Sequence, residues 1–67
     1  MIHISVNGCT KAFVQPPAVA ELLQDMDLAG KKVAVERNGE IVPRGAHGST
    51  VLTDGDRLEI VVAVGGG

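Results

Sequence analysis

A chain of 67 residues is bounded to one small domain with one core, and 45% hydrophobic with 21% charged residues is the composition of a folded protein. Six basic against eight acidic residues leave a net charge of −2, so nucleic acid and an anionic membrane surface lack electrostatic support as partners. No apolar run approaches the roughly 20 residues of a membrane helix. No charged-then-apolar leader opens the chain, and one cysteine, Cys9, cannot close an intrachain disulfide. The expectation is a cytoplasmic protein, monomeric on its own.

So small a domain buries only about 60% of its unfolded surface, which makes a deep catalytic pocket hard to build. Trp and Tyr are absent and Phe13 is the one aromatic residue, which argues against base stacking, aromatic cages and sugar platforms. A binding module or a protein substrate fits better than an enzyme.

Met1-Ile2-His3-Ile4-Ser5-Val6 alternates apolar and polar residues, the period of a half-buried strand. Asn7-Gly8 is a tight-turn signal, and Cys9 to Val14 returns as the second strand of a hairpin. Pro16-Pro17 ends the ladder and presets a helical φ. From Ala18 to Asp27 a helix is predicted, with Val19, Leu22, Leu23 and Met26 on one apolar stripe and Glu21, Gln24 and Asp25 facing away. No capping side chain precedes it, so the prolines are expected to set its start and Gly30 its end. Lys31-Lys32 is a solvated lead-in to the strand Val33 to Arg37.

Asn38-Gly39 repeats the turn signal, and Glu40-Ile41-Val42 forms a short strand that Pro43 demotes to an edge or a terminus. Arg44 to Ser49 is expected to be a loop, Thr50-Val51-Leu52 a short extended piece and Asp54-Gly55-Asp56 a turn. Arg57 to Val64 is the longest apolar strand, with Leu58, Ile60, Val62 and Val64 on one face and Val61 and Ala63 making the other unusually apolar. The predicted core is Ile2, Ile4, Val6, Val19, Leu22, Leu23, Met26, Leu58 and Ile60. Two strands, a helix and two or three further strands, with the last beside the first, give an α+β fold: a β-grasp (ubiquitin-like) roll with a mixed sheet of four to five strands and one main helix. Residues 1–64 form this domain and 65–67 a flexible tail.

Gly65-Gly66-Gly67 is the chemical feature. Glycines enter a narrow channel in almost any backbone conformation, and three of them reach about 10 Å beyond the sheet. Their one reactive group is an α-carboxylate, ionised at neutral pH and a poor electrophile until an oxygen becomes a leaving group. Reaction with the α-phosphate of ATP and displacement by sulfur would achieve that. No phosphate-binding loop, cysteine pair or histidine cluster for this chemistry lies in the chain, so no catalytic residue or metal ligand is assigned to it. ATP and Mg²⁺ would be used by a partner.

The segments Val35-Glu36-Arg37-Asn38-Gly39-Glu40-Ile41-Val42-Pro43-Arg44, Asp54-Gly55-Asp56 and Ile60-Val61-Val62-Ala63-Val64-Gly65-Gly66-Gly67 resemble the ThiS family, sulfur carriers of thiamin thiazole biosynthesis. The helix Val19-Ala20-Glu21-Leu22-Leu23 fits as well, although Pro-Pro-Ala stands where the family usually has Thr. The resemblance implies a cycle. A ThiF-type enzyme adenylates the Gly67 carboxylate, a cysteine desulfurase relay converts it to a thiocarboxylate, and thiazole synthase takes the sulfur. Gly65 and Gly66 carry over as the threaded tail. The alternatives are a carrier like the molybdopterin-synthase small subunit and a noncovalent β-grasp interaction domain.

Cys9 invites a persulfide role, but its one close basic neighbour is Lys11 and no second cysteine could resolve it, so a plain strand or turn residue is expected. His3 and His47 lack a third ligand at metal spacing and are expected on the surface. Asp54 and Asp56 lack the downstream Glu of a calcium loop and are expected in a turn. Val61 and Ala63 are either ordinary exposed apolar surface or a docking face beside the tail.

Overall fold

A computed structural model describes residues 1–63; Val64 and the glycines at 65–67 lie outside the described residues. Strand β1 (Ile2–Val6) and strand β2 (Cys9–Phe13) form an antiparallel hairpin. Helix α1 (Val19–Asp25) crosses to strand β3 (Val33–Arg37), which pairs antiparallel with strand β4 (Glu40–Val42). A 3₁₀ turn at Arg44–Ala46 leads towards strand β5 (Arg57–Val62). The sheet order is β2-β1-β5-β3-β4, with β5 parallel to β1 and antiparallel to β3. This is the five-stranded mixed sheet of a β-grasp roll, with the last strand at its centre.

Both Asn-Gly turns form as the residue pairs require: Asn7 and Gly8 have φ of 51° and 84°, Asn38 and Gly39 of 52° and 87°. Each asparagine also reaches β5. Asn38 Oδ1 accepts from the Arg57 N–H at 3.0 Å, and Asn7 Oδ1 accepts from the Ile60 N–H at 2.8 Å. The central strand is thus held from both hairpins.

The core contains Ile4, Val6, Val19, Leu22, Leu23, Leu58 and Ile60, as expected, together with Val35, Val42 and Leu52. Ile2 and Met26 are only partly buried and pack on its margin. Val62 departs from the predicted inward face and is 39% exposed. Length explains this: seven helical residues cover about 10 Å, whereas the six residues of β5 run for about 20 Å.

The ends of the helix correct two expectations. At the start, the prolines do not act alone. Glu21 turns back so that its Oε1 accepts from the Ala18 N–H at 2.9 Å. Thr50 and His47 lend backbone carbonyls to the Val19 and Ala20 N–H groups, each at 2.9 Å. At the end, the left-handed residue that closes the helix is Asp27, with φ of 60°, and not Gly30. The N–H groups of Asp27 and Leu28 then bond to the carbonyls of Gln24 and Leu23, and Leu28 packs on the core. Gly30, with φ of 82°, serves the next turn. Within the segment expected to be a loop, Arg44–Ala46 winds into its 3₁₀ turn.

Candidate functional site

Because β5 is parallel to β1 and antiparallel to β3, its C-terminal end lies where β1 ends and β3 begins. Three segments meet there: the Asn7-Gly8 turn leading into Cys9, the Lys31-Lys32 lead-in, and the last residues of β5. Val62 pairs with Val33, and the Ala63 N–H donates to the Lys32 carbonyl at 2.9 Å. On the other side the Asn7 side chain holds the Ile60 backbone. The chain is therefore fixed through Ala63. Gly65, Gly66 and Gly67, the residues assigned to the chemistry from sequence, follow directly and lie outside the described residues.

Val61 points away from the core and is 64% exposed, and Ala63 is exposed as well. Across the ladder Val61 faces Ala34, also exposed. One strand further on, Ile41 is 64% exposed. Helix α1 packs on the opposite side of the sheet, so these residues form an apolar patch on the uncovered face, next to the point where the glycines begin. Ile41 and Ala34 join the two sequence-predicted residues. Their signal was present in the alternation of β3 and β4, but the register that sets Ala34 beside Val61 and Ile41 on the far side of Glu36 needs the sheet order.

Cys9 is the first residue of β2, paired with Val6 and exposed. It has the strand-or-turn position expected of it, at the same end of the molecule as the exit of the chain. His3 is exposed. His47 is not: at 9% exposure it sits under the turn that caps the helix, with Nε2 at 3.2 Å from the Val42 carbonyl. The same residue supplies the carbonyl that caps Ala20, which is why it is drawn inside.

Asp54 and Asp56 do lie in a turn, with Gly55 at φ of 88°, but they play different parts. Asp54 accepts from the His3 N–H at 2.7 Å at the exposed end of β1. Asp56 is buried. Its carboxylate accepts from the Thr53 N–H and Arg37 Nε, each at 2.8 Å, and from Asn38 Nδ2 at 3.1 Å. Burial by itself would push this carboxyl up, but those donors and the Arg37 charge hold it below the usual aspartate range. The network fastens the β3–β4 turn to the start of β5, at the end remote from the glycines.

The ThiS family model matches residues 4–67, nearly the whole chain. The chain belongs to the ThiS family. A crystal structure of the thiamine biosynthesis protein ThiS from Geobacter metallireducens superposes with a TM-score of 0.82 at 35% identity, covering 98% of this chain and 100% of that one. The sulfur carrier protein ThiS of Bacillus subtilis is 43% identical over 49 residues, 73% of this chain and 74% of that protein. Thiazole synthase of Paramagnetospirillum magneticum is 44% identical over 66 residues, which is 98% of this chain and 20% of that protein. This chain therefore spans about a fifth of the length of some of its relatives. The ThiS family and the β-grasp fold are what the chain shares with these relatives.

Proposed function

We propose that this ThiS-family domain carries sulfur as a thiocarboxylate on Gly67, taken as the terminal residue of the mature carrier. The Gly67 carboxylate attacks the α-phosphorus of ATP on a ThiF-type enzyme, pyrophosphate leaves, and an acyl-adenylate forms. A persulfide sulfur fed by a cysteine desulfurase relay then displaces AMP to give an acyl disulfide, and a thiol reductant cleaves its S–S bond to leave the thiocarboxylate. Thiazole synthase receives the sulfur for the thiazole ring. The chain contributes a substrate end and a docking surface, with Gly65 and Gly66 as the side-chain-free segment that enters each active site, and the partner supplies ATP, Mg²⁺ and acid–base groups.

The observation that supports this reading is the family match running through residue 67, over a sequence in which Gly65, Gly66 and Gly67 stand at positions 65–67. Fixation through Ala63 suits it mechanically. A carrier must present the same atom to successive enzymes, and a rigid base with about 10 Å of glycine beyond it does so with little conformational search. The relatives that hold an equivalent of this domain within a thiazole synthase support that enzyme as a partner.

The first step is tested by pyrophosphate exchange. With the cognate adenylating enzyme, ATP and Mg²⁺, the full-length protein should drive exchange of labelled pyrophosphate into ATP. A protein lacking Gly66 and Gly67 should not. Exchange that is independent of the carrier, or unaffected by the deletion, would reject the reading.

A further inference from the structure

Strand β5 outruns its neighbour on one side. Its ladder with β3 continues to Val62, whereas its pairing with β1 stops at Leu58, opposite Val6. Beyond Leu58 the β1 side is held by one residue. The Asn7 N–H donates to the Leu58 carbonyl at 2.9 Å, and the Asn7 side-chain amide engages both backbone groups of Ile60. A strand end paired on both sides keeps one heading in the plane of the sheet; paired on one side alone, it can pivot. Asn38 is the matched residue at the other end of β5. Its φ is 52° against 51° for Asn7, its N–H donates to the Arg57 carbonyl at 2.8 Å, its Oδ1 accepts from the Arg57 N–H, and its Nδ2 donates to Asp56. Two asparagines in the same kind of turn, with the same bonding capacity filled, thus tie down the two ends of one strand.

We propose that Asn7 is a positioning residue for the chemistry at Gly67, acting through the heading of β5, and that Asn38 is not. This rests on the carrier function proposed above. Asn7 touches neither ATP nor the reacting carboxylate. From Ile60 to position 67 an extended chain covers about 23 Å, so a swing of about 5° at Ile60 carries its end through about 2 Å. The attacking carboxylate oxygen must meet the α-phosphorus in line, and a misplacement of that order is costly in rate. Docking of the folded domain does not need the Ile60 rung. Its loss should therefore leave affinity alone and lower turnover, because more of the docked carriers hold the reacting end out of line.

The test is steady-state kinetics of carrier-dependent pyrophosphate exchange with the cognate adenylating enzyme, ATP and Mg²⁺, at a temperature where circular dichroism shows every variant folded. Asn7→Gly keeps the positive φ and removes the amide. It should lower kcat roughly tenfold, with KM for the carrier within about twofold of wild type. Asn38→Gly removes the matched amide at the remote end, so its melting temperature should fall by a comparable amount while kcat stays at the wild-type value. Asn7→Asp, which keeps an acceptor for the Ile60 N–H and loses the donor to the Ile60 carbonyl, should lie between wild type and Asn7→Gly. Wild-type kcat in Asn7→Gly overturns the proposal. An equal fall of kcat in Asn38→Gly also overturns it, by making the effect one of stability, and so does a raised KM at unchanged kcat, by making Asn7 a contact. The carrier reading fails in a different way: a wild-type protein that drives no exchange rejects that reading and the proposal with it.

Discussion

Asn7 takes the place of a missing strand residue beside Ile60. Its Oδ1 accepts from the Ile60 N–H at 2.8 Å and its Nδ2 donates to the Ile60 carbonyl at 3.0 Å. Strand β1 has already turned away at Val6, yet the ladder against β5 gains one more rung from a side-chain amide. That rung lies three residues before Ala63, so it fixes the direction in which the chain leaves the sheet.

Asn7→Gly should therefore separate the side chain from the turn. Glycine accepts the positive φ without strain, but the two hydrogen bonds are lost, at a cost of about 1–2 kcal/mol. Hydrogen exchange should show the Ile60 amide losing protection relative to the Leu58 amide. Unchanged protection at Ile60 would mean that the rung contributes nothing to the rigidity of the exit.

The core makes a plainer prediction. Leu22 and Leu52 are fully buried, and truncating either to alanine should cost roughly 2–5 kcal/mol. A domain of this size has a core that supplies about 3–5 kcal/mol, so each variant should be partly unfolded at room temperature. Urea titration followed by circular dichroism measures this, and a wild-type midpoint in Leu22→Ala would contradict the packing.

Asp56 links stability to acid. Its folded-state carboxyl lies below the unfolded aspartate value of about 3.9. Above the unfolded value the carboxylate is ionised in both states and its full contribution is present. As pH falls through the unfolded value and then the folded one, the unfolded chain binds a proton first and the contribution disappears. Asp56→Ala, which strands the Arg37, Asn38 and Thr53 donors, should cost about 3 kcal/mol at neutral pH. It should also lose less further stability between about pH 5 and pH 3 than the wild type does. Parallel acid-unfolding curves for the two proteins would remove Asp56 from the account.

The parts of this molecule that were legible from sequence depend on local periodicity. Ile4, Val6, Leu22, Leu58 and Ile60 announce themselves by spacing, and the two Asn-Gly pairs by their φ preferences. The rest depends on partners far along the chain. Val42 lies in a three-residue strand too short to declare a face, and Leu52 is buried because its N–H bonds to the Pro17 carbonyl beside the helix start. The helix is capped by carbonyls about thirty residues downstream, a donor set with no side-chain signature. His47 was expected outside for the same reason: its burial follows from its backbone role. Asp-Gly-Asp signals a turn but does not say which carboxylate Arg37 will find. At the site, the strand alternation exposed Val61 and Ala63, whereas Ala34 and Ile41 needed the sheet order.

The patch can be tested apart from the tail. Val61 is 64% exposed, so Val61→Asp should leave the melting temperature nearly unchanged. The introduced charge must be desolvated in any contact made there, so affinity for the adenylating enzyme should fall about tenfold or more. A folded Val61→Asp protein that is adenylated at the wild-type rate and affinity would place that enzyme's contact elsewhere.

The claim on which the account turns is that sulfur travels on Gly67 and not on Cys9. With the adenylating enzyme, ATP, Mg²⁺ and a sulfur source, the intact mass should rise by the difference between one sulfur and one oxygen. Fragment spectra should place that increment on Gly67. Cys9→Ser should react normally, and deletion of Gly66 and Gly67 should abolish the change. Sulfur transfer that survives the deletion and disappears in Cys9→Ser would contradict the account and assign the chemistry to a persulfide on Cys9.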